Sequence, residues 1–583
     1  MLQEITKWLE ETVKKLDYPI DLVAGRWGVK HPDELARGDY ATNIALVLGK
    51  ELKQKPMELA EQIVDVLNIK VAPLGSLKVR PWLDRVEVAS PGFINFFLTR
   101  DFFTDEFKKI LEQGDKYGKE ITEIGKKVMI EYTDPNPFKE FHIGHLMSNT
   151  IGEAISRLIE SQGAEVKRAC YQGDVGLHVA KAIWGSLKLK EKNLKEIKKW
   201  GEVYVLGSQA YDSDETAKQE INEINKKVYN RSDTEINKIY DTGRQVSLDY
   251  FETIYQRLDT KFDYYFFESE MAKAGVEIVA RFLEKGVFEK SDGAIIFKAE
   301  KYNSHLHTRV YLTSQGLPTY ETKELSLHFA KAKVYPADLS VIITANEQDK
   351  VFEVGLEALR QIDSALAFKI KHLSHGLLRL PTGKMGSRTG AVITAESLLT
   401  EIKTVVSEKI AERVFSPEET EKIAEAVAVG AIKYSILKQS PGRDIIFDLA
   451  KSLSFEGDSG PYLQYSYVRA RAVIEKAIAE NILPNLVQAS ASSAGRPPEI
   501  SELEKQLTRF PEIVVRSATL YAPNLLVTYL TELASSFNAY YATQKIVDST
   551  DPQSPYRLAL TTAFSHIMKS GLTFLAIPVL ERM

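Results

Sequence analysis

Cysteine is nearly absent from this chain: Cys170 is the only one among 583 residues. A disulfide framework and a multi-cysteine zinc site are thereby excluded, and such usage fits a reducing compartment. Long apolar runs are missing too. The stretch Leu572–Leu580 is too short to span a bilayer, and no basic-plus-apolar targeting pattern opens the chain. The expected location is cytoplasmic. There is no excess of positive charge: 75 Lys and Arg against 80 Asp and Glu give a net charge of −5. Any affinity for phosphates must therefore come from local basic faces. No internal repeat is evident, and only Ala489–Ala494, made of Ser and Ala, approaches low complexity.

What is present is ordinary globular material, 44% hydrophobic and 27% charged, in a length that accommodates three or four domains. The most informative stretch is Glu131–Leu146, E-Y-T-D-P-N-P-F-K-E-F-H-I-G-H-L. Lys127–Thr133 is a short β-rich run that Asp134, Pro135, Asn136 and Pro137 break. From His145 onward Leu146, Ile151, Ile155, Leu158 and Ile159 recur at helical spacing up to Gly163. The histidines thus sit where a strand turns into a helix. A helix N-terminus offers free N–H groups and partial positive charge, so a triphosphate can be held there, and Gly144 lets it approach closely. His142 and His145 can then donate to phosphate oxygens during displacement at the α-phosphorus. A bare H-x-x-H is equally compatible with two capping or solvent-exposed histidines.

His142-Ile143-Gly144-His145 resembles the signature of the class I aminoacyl-tRNA synthetases, and its flanks resemble the arginyl-tRNA synthetase version. Glu131, Asn136 and Lys139 stand at matching positions. Gly38–Asn43, Pro91–Phe96, Gly173-Asp174-Val175-Gly176 and Gly460–Tyr465 resemble further blocks of that family, in the same order along the chain. The resemblance implies an α/β fold: a Rossmann-like parallel-sheet catalytic domain with an N-terminal α/β domain and a C-terminal all-α helical bundle. The expected boundaries are 1–115 for the tRNA-binding N-terminal domain, 116–400 for the catalytic domain with a helical insertion at about 189–258, and 401–583 for the anticodon-binding bundle. Leu111–Lys126 reads as a linker. The sheet is expected to resume in Ala294–Ala299, Arg309–Thr313 and Leu339–Thr344. Ser416-Pro417-Glu418-Glu419 is a strong helix start.

The reaction the resemblance implies is arginine–tRNA ligation. ATP, with Mg2+, and arginine give arginyl-adenylate, and the arginyl group passes to tRNA(Arg). No tightly bound cofactor and no metal site are expected, and the family's default is a monomer. His142, Gly144, His145, Lys384 and Met385 are matched to ATP binding. His142, His145, Lys139, Lys384 and Arg388 are matched to catalysis. Lys384-Met385-Gly386-Ser387-Arg388 lacks the second lysine of the family's mobile loop, and Lys139 would supply that charge. Glu131, Asn136, Tyr320, Glu324 and Gln348 match the arginine pocket, where a guanidinium needs planar carboxylate and amide acceptors. The family has Asp where Glu324 stands, and its Asp-Gly turn is Gln315-Gly316 here.

Tyr462, Tyr465 and Arg469 fall on one helix face and, with Tyr541, Phe93 and Asn95, are matched to tRNA binding. Packing is the competing reading for each of these. A synthetase-derived tRNA-binding protein without catalysis is the alternative function, for which the departures at Gln315, Glu324 and Gly386 leave room.

Overall fold

Five parallel strands carry the chemistry: β1 (Lys127–Glu131), β2 (Glu165–Gln172), β3 (Tyr264–Phe267), β4 (Leu339–Ala345) and β5 (Ile370–His375). Their spatial order is 3-2-1-4-5, with Glu131 in register with Ala169 on one side and Ile342 on the other. This is the nucleotide-binding order, in which the chain reverses direction across the sheet between β1 and β4, and a crevice opens at the carboxyl ends of those two strands. The computed structural model describes residues 1–32, 34–69, 80–120, 122–189, 194–379, 394–411, 415–486 and 499–583. The chain divides into two compact units, one of residues 1–117, 469–510 and 533–567, the other of 118–468, 511–532 and 568–583.

In the second unit the helix Ile143–Glu160 follows β1 and packs Leu146, Met147, Ile155 and Ile159 on Val128, Ile130 and Ile343. It ends at Glu160, and Gly163, at φ +89°, turns the chain toward β2. The connection from β2 to β3 is helical: Leu177–Leu189, Ile197–Ser213, Glu215–Asn230 and Thr234–Arg257. These four helices share a core of Val179, Ile183, Trp200, Val203, Ile221 and Tyr240, which also takes in Phe138 from the loop after β1.

Two segments expected in the main sheet lie elsewhere. Ala294–Phe297 and Arg309–Leu312 form a separate three-stranded antiparallel sheet with Glu289–Ser291. Asp292 and Gly293, at φ +48° and +80°, make the two-residue turn that folds Ser291 back onto Ala294. An Asp-Gly pair with both residues at positive φ favours a tight hairpin, whereas a parallel neighbour requires a long crossover. The helix Pro417–Leu437 begins as its sequence requires. The Ser416 hydroxyl accepts from the Glu419 N–H at 3.2 Å and the Glu419 carboxylate from the Ser416 N–H at 2.9 Å. Every residue from Val427 to Leu437 except Ser435 is buried, so this helix forms an interior wall rather than a surface element.

In the first unit a four-stranded antiparallel sheet runs in the order Val29–Lys30, Tyr40–Thr42, Phe93–Leu98, Leu83–Ala89. Asp39 accounts for the G-D-Y-A-T-N block: its carboxylate accepts from the Leu98 N–H at 2.8 Å, and its own N–H donates to the Phe96 carbonyl. Gly38 is required there, since its φ is +108° and a Cβ would stand 2.9 Å from the Phe96 oxygen. The expected linker begins inside a helix, Arg100–Gln113, capped by the Thr99 hydroxyl. Buried Phe103, Phe107 and Ile110 are the apolar face that keeps it helical.

Candidate active site

His142 is the N-cap of the helix after β1. Its Nδ1 accepts from the Gly144 N–H at 3.1 Å, and the Nδ1 of His145 accepts from the His142 N–H at 3.4 Å. Two consequences follow from these contacts. Both Nδ1 atoms act as acceptors, so the mobile proton of each neutral ring sits on Nε2 and is available as a donor. The rings also stack, with centroids 3.6 Å apart and planes 22° apart, and a Cβ on Gly144 would meet the His142 ring at 2.9 Å. Burial, followed by the charge of Lys139, pulls His142 down to about 4; burial, His142 and Lys139 pull His145 well below the usual histidine range. Capping and phosphate donation are therefore compatible: the caps use Nδ1 and leave Nε2–H.

The loop between β1 and these histidines is strained and held from several sides. Thr133, Asp134 and Phe138 have φ of +84°, +46° and +68°, which costs on the order of 1 kcal/mol or more per non-glycine residue. Ser148 and Asn149, on the first turns of the histidine helix, answer this cost. The Thr133 N–H donates to Ser148 Oγ at 2.9 Å, Ser148 Oγ–H donates to the Ile343 carbonyl at 3.0 Å, and Asn149 Nδ2 donates to Thr133 Oγ1 at 3.0 Å. Phe138 is fully buried edge-on to Trp200 at 5.0 Å, and its N–H donates to Ser247 Oγ at 2.8 Å. Lys139 Nζ lies 4.2 Å from the ring centre of Tyr204. The helical insertion thus grips the signature loop through consecutive residues.

Asp174 of the Gly-Asp-Val-Gly block is fully buried and serves the same end. Its carboxylate accepts from Arg244 Nε at 2.9 Å, the Tyr240 hydroxyl at 3.1 Å, and the N–H and hydroxyl of Ser269 at 2.8 and 2.7 Å. Gly173 beside it permits a close approach, since a Cβ there would fall 2.3 Å from Asn136 Oδ1.

At the carboxyl ends of β1 and β2 an acidic cluster faces the helix Tyr320–Val334. Tyr320, Glu324, His328 and Lys331 recur at steps of four, four and three, which is one helix face. Lys331 Nζ donates to Glu131 Oε2 at 2.6 Å, both side chains being almost fully buried, and Lys323 pairs with Glu268. Glu324 is buried, and among the described residues neither of its oxygens has a hydrogen-bond partner, His328 Nε2 lying 3.8 Å from Oε1; the Tyr171 hydroxyl and His328 Nδ1 also have none there. Burial, and then the neighbouring Glu131 charge, pushes Glu324 up to about 8. Asp134 is held well above the carboxylate range by burial and Glu131, although the Tyr171 N–H donates to it at 2.7 Å. Buried polar atoms without partners are rare in native proteins and point to a ligand that completes them. Here they are acceptors grouped around a carboxyl that a neighbouring cation would return to its charged form, so the matching ligand is a cation.

Gln348 ends the turn after β4, and Val351, Phe352 and Gly355 of the next helix line a small cavity together with Glu324 and His328. Of the expected site residues, Tyr320, Glu324 and Glu131 stand within electrostatic reach of one another, and Asn136 closes on Gly173 next to Glu268. Lys384, Met385, Gly386 and Arg388 lie outside the described residues. Sequence reading missed His328 and Lys331, although polar residues repeating on a helix face that also carries Tyr320 and Glu324 were a usable signal. It also missed Ser148, Asn149 and Phe138, which carry no chemistry in isolation. Gln315 is an exposed turn residue ahead of Gly316, which takes φ +75°.

Of the expected RNA contacts, Arg469 and Tyr541 come together in the first unit, the guanidinium 5.1 Å from the ring centre, and Arg469 also donates to Asn538. Tyr541 is 42% exposed. Tyr462 and Tyr465 are half-buried on the first turns of the helix Gly460–Ala479, and Tyr465 packs edge-on to Phe455 at 6.3 Å. Asn95 is buried in a central strand between Ala41 and Glu87, and Phe93 is half-buried.

A parallel 3-2-1-4-5 sheet, with a His-Ile-Gly-His helix start at its switch point, defines a class I aminoacyl-tRNA synthetase core. Residues 106–449 match the family described as tRNA synthetases class I (R), catalytic domain. Residues 3–98 match the arginyl tRNA synthetase N terminal domain and 463–583 the DALR anticodon binding domain. The chain is 30% identical over 581 residues to an arginine–tRNA ligase of Clostridium kluyveri, covering 98% of this chain and 99% of that one. It is 30% identical over 615 residues to an arginine–tRNA ligase of Thermococcus sibiricus, covering 94% and 93%. Its fold matches the arginyl-tRNA synthetase of Thermus thermophilus with a TM-score of 0.80 at 24% identity over all of both chains. The match to that of Plasmodium falciparum has a TM-score of 0.77 at 19% identity, covering 100% of this chain and 99% of the other. The chain belongs to the arginyl-tRNA synthetase family.

Proposed function

We propose that the acidic cluster holds the guanidinium of arginine while the histidine-capped helix holds the triphosphate of ATP, so that the chain works as an arginine–tRNA ligase. The observation that carries this reading is the pairing of two sites of opposite polarity at one switch point. One is a set of unpartnered buried acceptors around Glu324; the other is a helix N-terminus with two Nε2–H donors. In the first step a carboxylate oxygen of arginine attacks the α-phosphorus, and pyrophosphate leaves as arginyl-adenylate forms. In the second a terminal ribose hydroxyl of tRNA(Arg) attacks the arginyl carbonyl, and AMP leaves. No enzyme nucleophile is required, and the work is positioning and charge stabilisation.

The roles divide by location. Glu131, Asn136, Tyr320, Glu324 and Gln348 bind arginine. His142, Gly144, His145, Lys384 and Met385 bind ATP, which enters as its magnesium complex, and Lys139 stabilises the charge of the departing pyrophosphate together with Lys384 and Arg388. Arg469 and Tyr541 contact tRNA, with Tyr462, Tyr465, Phe93 and Asn95 in supporting roles. Residues 1–115, 116–400 and 401–583 act as the N-terminal tRNA-binding, catalytic and anticodon-binding domains, in a cytoplasmic monomer. The family matches over residues 3–98, 106–449 and 463–583 support the order of these three domains, with the catalytic match running past residue 400.

No observation favours a binding protein without catalysis, since the histidine pair and the acidic pocket are both assembled. Purified protein should charge tRNA(Arg) with arginine and release AMP. Tight tRNA binding without charging at any pH would overturn the assignment.

A further inference from the structure

Lys139 carries its charge on a flexible four-carbon stem, so the loop after β1 does not by itself decide where that charge stands. The helix Ile197–Ser213 of the insertion does. Trp200, Tyr204 and Ser208 recur on it at steps of four, which is one face. Trp200 meets the Phe138 ring edge-on at 5.0 Å, and the next turn presents Tyr204, whose ring centre is 4.2 Å from Lys139 Nζ. One turn further, Ser208 Oγ accepts from Lys181 Nζ at 3.2 Å, and Lys181 Nζ also lies 4.4 Å from the ring centre of Tyr211. Consecutive residues of the loop thus meet consecutive turns of one helix, which seats two ammonium groups on aromatic rings.

That face is held firmly. A Cβ on Gly207 would stand 2.0 Å from the Lys181 carbonyl oxygen, and one on Gly185 would stand 2.1 Å from that of Val203, so the helix and its neighbour Leu177–Leu189 touch backbone to backbone. Tyr204 is half-buried against the insertion core. Burial raises its phenol, but the charge of Lys139 and its contact with the hydroxyl, followed by Ser208 and Lys181, bring it below the usual tyrosine range. Among the described residues no carboxylate pairs with Lys139 or Lys181. The difference matters for catalysis: a carboxylate partner would cancel the charge that a phosphate needs, whereas a π face orients the cation and leaves its charge intact. From its place on Tyr204 that charge still acts on the histidine pair, since it adds to burial in lowering both His142 and His145.

We propose that Tyr204 is a positioning residue for adenylate formation: its ring holds the Lys139 ammonium beside the histidine pair with its charge intact, so the cation is oriented before ATP arrives. The inference rests on the role assigned above to Lys139 and adds a determinant of that role from the helical insertion. Orientation in advance raises the rate because the long side chain does not have to be ordered during the reaction.

The test is a double-mutant cycle in the full chain, read as kcat in ATP–pyrophosphate exchange at saturating arginine, ATP and tRNA(Arg). Tyr204→Leu removes the π face and should lower kcat about fivefold, the effect of one cation–π contact. Tyr204→Phe keeps the face and should retain about half of the rate or more. In a Lys139→Ala background Tyr204→Leu should change kcat by less than about twofold, because no cation is left to orient. Tyr204→Met, closer in volume to tyrosine but without a π face, repeats the comparison should Tyr204→Leu fail to fold. A loosened insertion would slow both backgrounds alike, so equal losses with and without Lys139 would overturn the proposal, as would Tyr204→Phe being as slow as Tyr204→Leu. The two levels of the argument separate cleanly. If Lys139→Ala is slow while Tyr204→Leu and Tyr204→Met are as fast as the unaltered protein, the aromatic seat alone is wrong; if Lys139→Ala is itself fast, the role of Lys139 falls and the seat with it.

Discussion

Arginine binding should release a proton, and Glu324 is where the effect can be measured. In the ligand-free protein burial and Glu131 hold this carboxyl at about 8, so roughly one molecule in ten carries the charge at pH 7 and one in a hundred at pH 6. A guanidinium binds the charged form, so each binding event at neutral pH expels the Glu324 proton. The Kd for arginine should therefore fall about tenfold between pH 6 and 7, about fivefold between pH 7 and 8, and then level off. Stability has the opposite sign without ligand. The folded state favours the protonated acid, so this contribution is full below the unfolded value of about 4.3 and is lost as pH rises through about 8. Stabilisation by saturating arginine should consequently grow over the same interval in which affinity grows. The assay is isothermal titration in two buffers of different ionisation enthalpy, which counts released protons directly. Asp134 titrates in the same cluster, so Glu324→Gln isolates its share; the variant should bind arginine weakly with a much flatter pH dependence. A wild-type Kd that is constant from pH 6 to 8.5, with no proton release, would refute both the protonated carboxyl and its contact with the guanidinium.

Other consequences are equally direct. Replacement of Lys139 by Ala should slow adenylate formation by roughly 10²-fold, the usual effect of losing one charge-stabilising donor, with tRNA affinity nearly unchanged in a filter-binding assay. His142 at about 4 is already neutral at pH 6, so the single-turnover rate at saturating arginine and ATP should stay flat down to about pH 5. A decline centred near 6.5 would mean that the rings are not buried donors. Phe138→Ala should destabilise the second unit by about 3–5 kcal/mol, because it empties a fully buried aromatic site. It should also raise the KM for ATP as the loop carrying Lys139 loses its anchor in the insertion; thermal unfolding and pyrophosphate exchange read the two effects.

Much of the active site was legible because its signals are local. A strand broken by Asp134–Pro137 and a helix starting at His142 are consequences of backbone sterics and capping, and the sequence announces both. Ser416-Pro417-Glu418-Glu419 is another such case, its reciprocal capping bonds following directly from residue types at fixed spacing. The two strands at Ala294–Phe297 and Arg309–Leu312 failed for the complementary reason. Their β character is local, but the sheet they join depends on a turn at Asp292-Gly293 whose handedness overrides the parallel pattern around it.

By itself, then, the sequence determined the strand-to-helix turn, the histidine pair at its apex and the family to which the chain belongs, since each depends on neighbours within a few residues or on collinear motifs. Tertiary structure alone decided that Lys331, 200 residues away, neutralises Glu131, and that Phe138 is a clamp rather than a motif letter. It also decided that Glu324, without a hydrogen-bond partner among the described residues, is pushed by burial and Glu131 toward its protonated form. Proton affinity and strain depend on what surrounds a group in space, and only the packed chain brings those surroundings together.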